Sequence, residues 1–286
     1  MNPTVLLLLI AGCLMLQPLS TDLYLASLPH RGNYFGASPA AVQQTLSLFV
    51  IGFGSAQLVS GPLSDRYGRR PVLLGGLGIY VLASIACGLA PTLPILVASR
   101  LVQAIGCCTA VVVARAIIRD AYPPAEGARM IAKASSLLSL APLLGPIAGS
   151  YLQVSFGWRA AFAVLTVFAL LMATATTRWL DETNASRNPA ATRLRPLLRT
   201  YGRIAASPAF WAYALPGSLS YAGIFIFISG SSFVLIQVLG VPTEYYGYCF
   251  AFGVSGYLGG TLACRRLLGR LGLERTLTVG TVLGCV

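Results

Sequence analysis

The sequence predicts an all-α integral membrane bundle of about eight complete spans and the start of a ninth, and three observations carry that prediction. Hydrophobic residues make up 56% of the 286-residue chain and charged residues only 10%, against about 25% charged in an ordinary soluble domain. Apolar runs long enough to cross a bilayer as helices recur along its length. The charges collect in the short stretches between those runs. A net charge of +12 and a pI of 9.7 would suit nucleic acid on a soluble chain. Confined to loops, that charge is a topology signal and fits contact with anionic membrane lipid, not nucleic acid.

Taken in order, spans are expected at 4–28, 40–63, 71–90, 94–117, 130–154, 159–180, 209–231 and 244–264, with a ninth beginning near 275. Leu9-Ile10-Ala11-Gly12-Cys13 looks like a lipoprotein cleavage box. No basic residue precedes it, however, and further spans follow, so the segment reads as an uncleaved first span. Orientation follows from Lys and Arg. The loops after spans 2, 4, 6 and 8 hold sixteen of the twenty basic residues: Arg66, Arg69, Arg70; Arg119, Arg129, Lys133; Arg178, Arg187, Arg193, Arg195, Arg199, Arg203; and Arg265, Arg266, Arg270, Arg275. The opposite loops hold Arg31 and Arg159, while Arg100 and Arg115 lie within span 4. This asymmetry places the N-terminus in the cytoplasm.

Between spans 2 and 3 runs Gly61-Pro62-Leu63-Ser64-Asp65-Arg66-Tyr67-Gly68-Arg69-Arg70. Gly61 and Gly68 suit close helix approach and a positive-φ turn. Asp65 can bond to free N–H groups at a helix end or pair with a neighbouring Arg. The arginines by themselves need no more than a positive-inside turn. The hydrophilic stretch Asp181–Ser207 follows six spans and reads as a linker. After the second span beyond it comes Cys264-Arg265-Arg266-Leu267-Leu268-Gly269-Arg270-Leu271-Gly272, a worn copy of the earlier loop. The chain thus divides into a six-span N-terminal half (1–180), a cytoplasmic linker (181–207) and an incomplete C-terminal half (208–286), a repeat common in secondary transporters.

Taken whole, the Gly-x-Leu-x-Asp-Arg-x-Gly-Arg-Arg string resembles the signature loop of major facilitator transporters. Ser20-Thr21-Asp22-Leu23-Tyr24-Leu25-Ala26-Ser27-Leu28-Pro29 looks like the first-span ending of their Bcr/CflA-type drug-resistance exporters, and Arg100-Leu101-Val102-Gln103-Ala104-Ile105-Gly106 is similar to their span-4 motif. Leu143-Leu144-Gly145-Pro146-Ile147-Ala148-Gly149 resembles the span-5 motif of antiporters, while Gly157–Phe162 and Asp181-Glu182-Thr183 bracket span 6 as in those exporters. The match weakens beyond the linker. Such proteins have twelve spans, so the resemblance implies a truncated or partial chain. It also implies a major-facilitator bundle, a proton-coupled role for the span-4 Arg, a monomer, and a site in the bacterial inner membrane.

Asp22 is the only acid inside an apolar span. A charge there costs roughly 2.5–3.5 kcal/mol on insertion scales, so the carboxyl should face a partner or a watery cavity. Removal from water favours proton uptake. The alternative is an acid near enough to the outer surface to stay hydrated. Arg100 is its expected partner, because Asp22 and Arg100 each lie about six residues, roughly 9 Å, inside the outer ends of spans 1 and 4. The alternative is an Arg snorkelling to the interface. Gln103, one turn from Arg100, and Gln57 either line a cavity or bond a neighbouring helix. Tyr24 and Phe53 offer aromatic surface to a lipophilic or cationic compound, or sit at the interface like many membrane aromatics. Pro142, Gly145, Pro146 and Gly149 predict a bendable, closely packed span 5, a hinge. Arg119-Asp120 looks like a local ion pair.

The seven cysteines have no metal-ligand spacing and read as small hydrophobes. His30, the lone histidine, reads as interfacial and supports neither a catalytic triad nor a metal site. The glycine-rich tracts lack the Lys of a phosphate-binding loop, so neither a cofactor, ATP coupling nor enzymatic activity is expected. The leading expectation is proton-coupled efflux of small hydrophobic or cationic compounds by alternating access, a drug/H+ antiport contributing to antibiotic resistance. A proton-coupled uptake symporter and a non-transporting fragment are the alternatives.

Overall fold

The computed structural model describes residues 3–284, apart from the side chains of Tyr213 and of scattered positions from 257 onward. Among these residues the chain runs through α1 (Pro3–Leu25), α2 (Leu28–Phe35), α3 (Pro39–Tyr67), α4 (Arg69–Leu89), α5 (Leu93–Ala121), α6 (Pro124–Leu138), α7 (Leu140–Phe156), α8 (Arg159–Trp179), α9 (Leu194–Ala205), α10 (Pro208–Ser232), a π-helical stretch (Phe233–Val238) and α11 (Thr243–Gly284). Seven segments of the described residues are long and apolar enough to cross a membrane: α1, α3, α4, α5, α6 with α7, α8, and α10 with its π-helical extension. The expected eighth and ninth spans both fall in α11, which is broken only at Gly272, where φ is 76°. The Arg-rich stretch before Gly272 therefore prolongs a helix, where a loop was expected. Cys285, Val286 and the side chains of Cys264 and Arg265 lie outside the described residues.

Local chemistry explains the breaks. Pro39, Pro94, Pro124 and Pro208 sit in the first turns of their helices, where a missing N–H costs nothing. Pro142 has no N–H for the carbonyl of Leu138, and the helix parts there, at Ser139, into α6 and α7. The turn from α3 to α4 pivots on Gly68 (φ 104°, ψ 157°) and that from α7 to α8 on Gly157 (φ 76°, ψ 177°), backbone states that disfavour a Cβ.

The core lies where α5 packs between α3 and α4 and beside α1. Small residues set the spacing. A Cβ on Gly106 would sit 2.5 Å from the backbone nitrogen of Tyr80 and 2.6 Å from the carbonyl of Gly76. Gly61, expected at a close approach, instead has nothing within 4 Å of where its Cβ would be. The helices after α9 are attached chiefly through α11 against α7, with Gly247 packed on the backbone of Pro146 and Ile147.

The signature loop is bonded on every side. Arg69 pairs with Asp65 at 2.6 Å and with Asp120 at 2.7 Å, and donates to Ser64 Oγ. Asp120 therefore does not pair with Arg119 as expected; adjacent helical residues diverge by about 100°, whereas Arg69 approaches from across the turn. The linker closes the rest. Glu182 accepts the backbone N–H groups of Arg69 (2.8 Å) and Arg70 (3.3 Å), filling the N-terminus of α4. The Asp65 carbonyl accepts from Asn184 Nδ2 and Asn188 N, Arg66 donates to Thr192, and Arg70 donates to the carbonyl of Thr177.

Two outcomes follow from this packing. Gly106→Leu should separate α4 from α5 and cost about 1–3 kcal/mol, seen as a lower Tm in detergent, while Gly78→Ala, with nothing within 4 Å, should leave Tm unchanged. Glu182→Ala should cost about 1 kcal/mol as a lost helix cap and release the linker. Limited trypsin digestion at Arg187 and Arg193 should then run several-fold faster than in the wild type.

Candidate functional site

The last turns of α1 are polar inside an apolar helix. Pro18 removes one hydrogen bond, and hydroxyls answer the backbone nearby: Ser20 donates to the carbonyl of Leu16 and Thr21 to that of Pro18. Asp22 is 4% exposed and accepts a bond of 2.9 Å from Thr21 Oγ1. A Cβ on Gly145 of α7 would lie 2.9 Å from Asp22 Cβ, and one on Gly149 only 2.5 Å from the carbonyl of Leu23. The two glycines of the expected hinge thus present bare backbone to the acid and its neighbour. Tyr221 of α10 and Tyr246 of α11 lie within electrostatic reach of the same carboxyl.

Arg100 does not pair with Asp22, contrary to expectation. Its guanidinium sits 4.6 Å from the ring centre of Tyr24 and 4.2 Å from that of Phe49, and it donates to Gln103 Oε1 at 2.6 Å. Gln103 in turn donates to Ser84 Oγ. The reason is helical phase: Asp22 and Tyr24 are two residues apart and so point about 200° from one another. Arg100 occupies the Tyr24 face and Asp22 the α7 face.

A second buried cation was not anticipated. Arg31, read from sequence as a loop residue, is fully buried with its guanidinium 3.5 Å from the Tyr24 ring centre and near Trp158 and Phe162. Burial, above all, lowers its pKa to about 10. Tyr24 therefore carries two guanidinium groups and donates its own hydroxyl to Thr45. Desolvated cation–π contacts of this kind are worth ~2 kcal/mol each. The only local sequence signal was the pair of aromatics after Arg31, Tyr34 and Phe35; Trp158 and Phe162 come from far along the chain and nothing aromatic flanks Arg100.

A cavity of about 300 Å³ lies between α1, α3 and α10, lined by Gln17, Phe49, Val50, Phe53, Gly54, Gln57 and Tyr221. Residues 49, 53 and 57 form one stripe of α3, four apart. Phe53 and Gln57 face this space, whereas Tyr24 and Gln103 are fully buried in the sealed core beside Arg100. Gln17 and Tyr221 are wall residues that sequence reasoning passed over. A larger apolar groove of about 560 Å³ runs along the outside of α3, α4 and α5, away from Asp22.

α10 and α11 bond to the earlier helices at the end away from the arginine-rich loops. His30 Nε2 bonds Thr243 Oγ1 at 2.9 Å, Gln43 donates to the carbonyl of Ser229, Gly247 N donates to Ser150 Oγ, and the hydroxyls of Tyr151 and Tyr248 are 2.9 Å apart. Burial, and then the charge of Arg31, holds the His30 imidazole below its usual pKa, which keeps the ring neutral at neutral pH. Cys13, Cys87, Cys107 and Cys108 are buried thiols and Cys249 is exposed.

Known proteins place this architecture. The chain is 29% identical to a bicyclomycin resistance protein homolog of Haemophilus influenzae, over 96% of this chain and 70% of that one. It is 30% identical to a chloramphenicol resistance protein of Pseudomonas aeruginosa, over 95% of this chain and 64% of that one. These matches agree with the Bcr/CflA resemblance of the motifs. The fold superposes on the inward-facing, unoccupied crystal structure of a bacterial homolog of the human lysosomal transporter Spinster with a TM-score of 0.74, at 20% identity, covering 94% of this chain and 63% of that one. It also superposes on a D-xylose–proton symporter with a TM-score of 0.65, at 16% identity, over 93% of this chain and 69% of that one. Residues 10–286 match the Major Facilitator Superfamily, and the chain belongs to that superfamily.

Proposed function

We propose that this chain works in a proton-coupled exporter of the bacterial inner membrane that moves small hydrophobic or cationic compounds outward by alternating access. The observation that carries the reading is Asp22. It is a carboxyl buried in a membrane-spanning helix, with no cation paired to it among the described residues, seated on Gly145 of α7 and within electrostatic reach of Tyr221 and Tyr246. Intramembrane acids of this kind mark proton or ion paths. The resistance proteins it resembles support efflux.

The physical rule is charge neutrality. A bare carboxylate cannot be carried cheaply through a sealed, dry interface. The halves therefore rock only when Asp22 holds a proton or faces the positive charge of a bound compound. Proton and substrate compete for one acid, and the exchange of one for the other drives transport. The contacts between halves lie away from the arginine-rich side, which the positive-inside rule assigns to the cytoplasm, so this state opens toward the substrate's side of entry. Pro142 and Pro146 let α7 bend against α1 as the carboxyl changes state. Arg100 serves by fixing Tyr24, and with it the rotation of α1 that aims Asp22 at α7.

Reconstituted in vesicles, Asp22→Asn should reduce substrate-driven proton movement, read by a pH-sensitive dye, to background while substrate binding persists; undiminished exchange overturns the mechanism. Phe53→Ala and Tyr221→Ala should raise KM about five- to tenfold, a loss of ~1 kcal/mol each, with Tm almost unchanged. Tyr24→Ala should instead lower Tm sharply, since emptying a buried aromatic site costs about 3–5 kcal/mol.

A further inference from the structure

The linker contains a helix that neither the signature loop nor the cavity uses. In α9 (Leu194–Ala205) the arginines Arg195, Arg199 and Arg203 stand four apart and form a single stripe. Leu194, Leu197, Leu198, Tyr201, Ile204 and Ala205 occupy the opposite face. None of its residues is buried: Leu194 is 67% exposed, Leu198 57% and Ile204 44%. No acidic residue occurs between Glu182 and Glu244, and among the described residues the arginine stripe forms no ion pair.

Position says what it meets. The helix is strung between the end of one membrane span, α8, and the start of the next, α10. It is pinned by Tyr201, whose hydroxyl donates to the carbonyl of Leu58 at 2.6 Å. Leu58 lies nine residues before the end of α3, about 13 Å down that helix, within its apolar run. The Tyr201 side therefore reaches the level of the hydrocarbon boundary, and the arginines stand above it at headgroup height. We propose that α9 is an in-plane docking helix for anionic phospholipid headgroups, its apolar side inserted and its arginines on the phosphates. Through Thr192 and Asn188, which bond Arg66 and Asp65, bound lipid also holds the linker on the signature loop.

The test uses the whole chain in nanodiscs of mixed phosphatidylcholine and phosphatidylglycerol. The wild type should enrich phosphatidylglycerol, measured by native mass spectrometry of retained lipid. R195Q/R199Q/R203Q should lower that enrichment about fivefold or more, whereas R119Q/R129Q/K133Q, on another loop of the same side, should leave most of it. Equal loss in the two variants would overturn the proposal, because the preference would then be a property of the whole face. A second arm places the helix. The added fluorescence of L198W should be quenched by lipid brominated high in the acyl chain and shielded from aqueous acrylamide. Quenching by acrylamide alone, or shielding from both because protein covers the face, overturns the insertion.

Discussion

An acid inside a bilayer needs either a partner or a place to put its charge, and in this protein Asp22 is given a place. α1 and α7 close on one another only because Gly145 and Gly149 carry no side chains where α1 passes. That contact seats the carboxyl against α7, which starts where the helix parts beside Pro142 and carries Pro146 within it. The charge state of Asp22 and the shape of α7 are thereby made one problem. If the carboxylate forms, water or a cation must reach it, since at Gly145 α7 offers no side chain to answer the charge. A salt bridge to Arg100 would have removed this sensitivity by satisfying the charge in place.

The two buried arginines show how the same bundle treats positive charge. Arg31 and Arg100 share the ring of Tyr24 and are further surrounded by Phe49, Trp158 and Phe162. Aromatic faces hold guanidinium groups without an anion, so cations are fixed on one side of α1 while the acid faces the other. The two systems meet only through the rigid backbone between Asp22 and Tyr24. Anything that rotates α1 therefore disturbs both.

Much of this was legible in sequence. Apolar runs and the placement of arginines give the spans, and the signature string, Asp22 and the Gly-Pro pattern are visible as letters. What failed was pairing. Asp22 and Arg100 stand at matching depth, but depth along a helix says nothing of rotation about it, and the two-residue offset to Tyr24 decides which face Arg100 meets. Asp120 was assigned to its neighbour Arg119 for want of knowing that Arg69 crosses the turn. Arg31 looked like a loop charge because a short helix folding back over the span end leaves no hydropathy signature. Glu182 is a long-range cap, and no local pattern announces that the linker returns 113 residues later to fill the N-terminus of α4.

The turns suggest how one backbone device serves opposite faces of the membrane. Gly68, Gly157 and Gly272 follow the second, fifth and eighth expected spans, and each turns the chain at positive φ with ψ near extended (157°, 177° and 178°). Successive units of three spans alternate in direction, so the first and third turns lie on the arginine-rich side and the second on the other. With the backbone geometry shared, the side chains around each turn set how firmly it is held. At Gly68 there are a buried Arg69, two acids and a linker carboxylate. At Gly157 the neighbouring Arg159 donates to the carbonyl of Gly88 and the hydroxyl of Tyr34 and lies over the rings of Tyr34 and Trp158. The first turn is thus held by carboxylates, the second by neutral acceptors and aromatic rings. Charge pairing at the one turn and neutral contacts at the other make two turns of like backbone geometry chemically unequal.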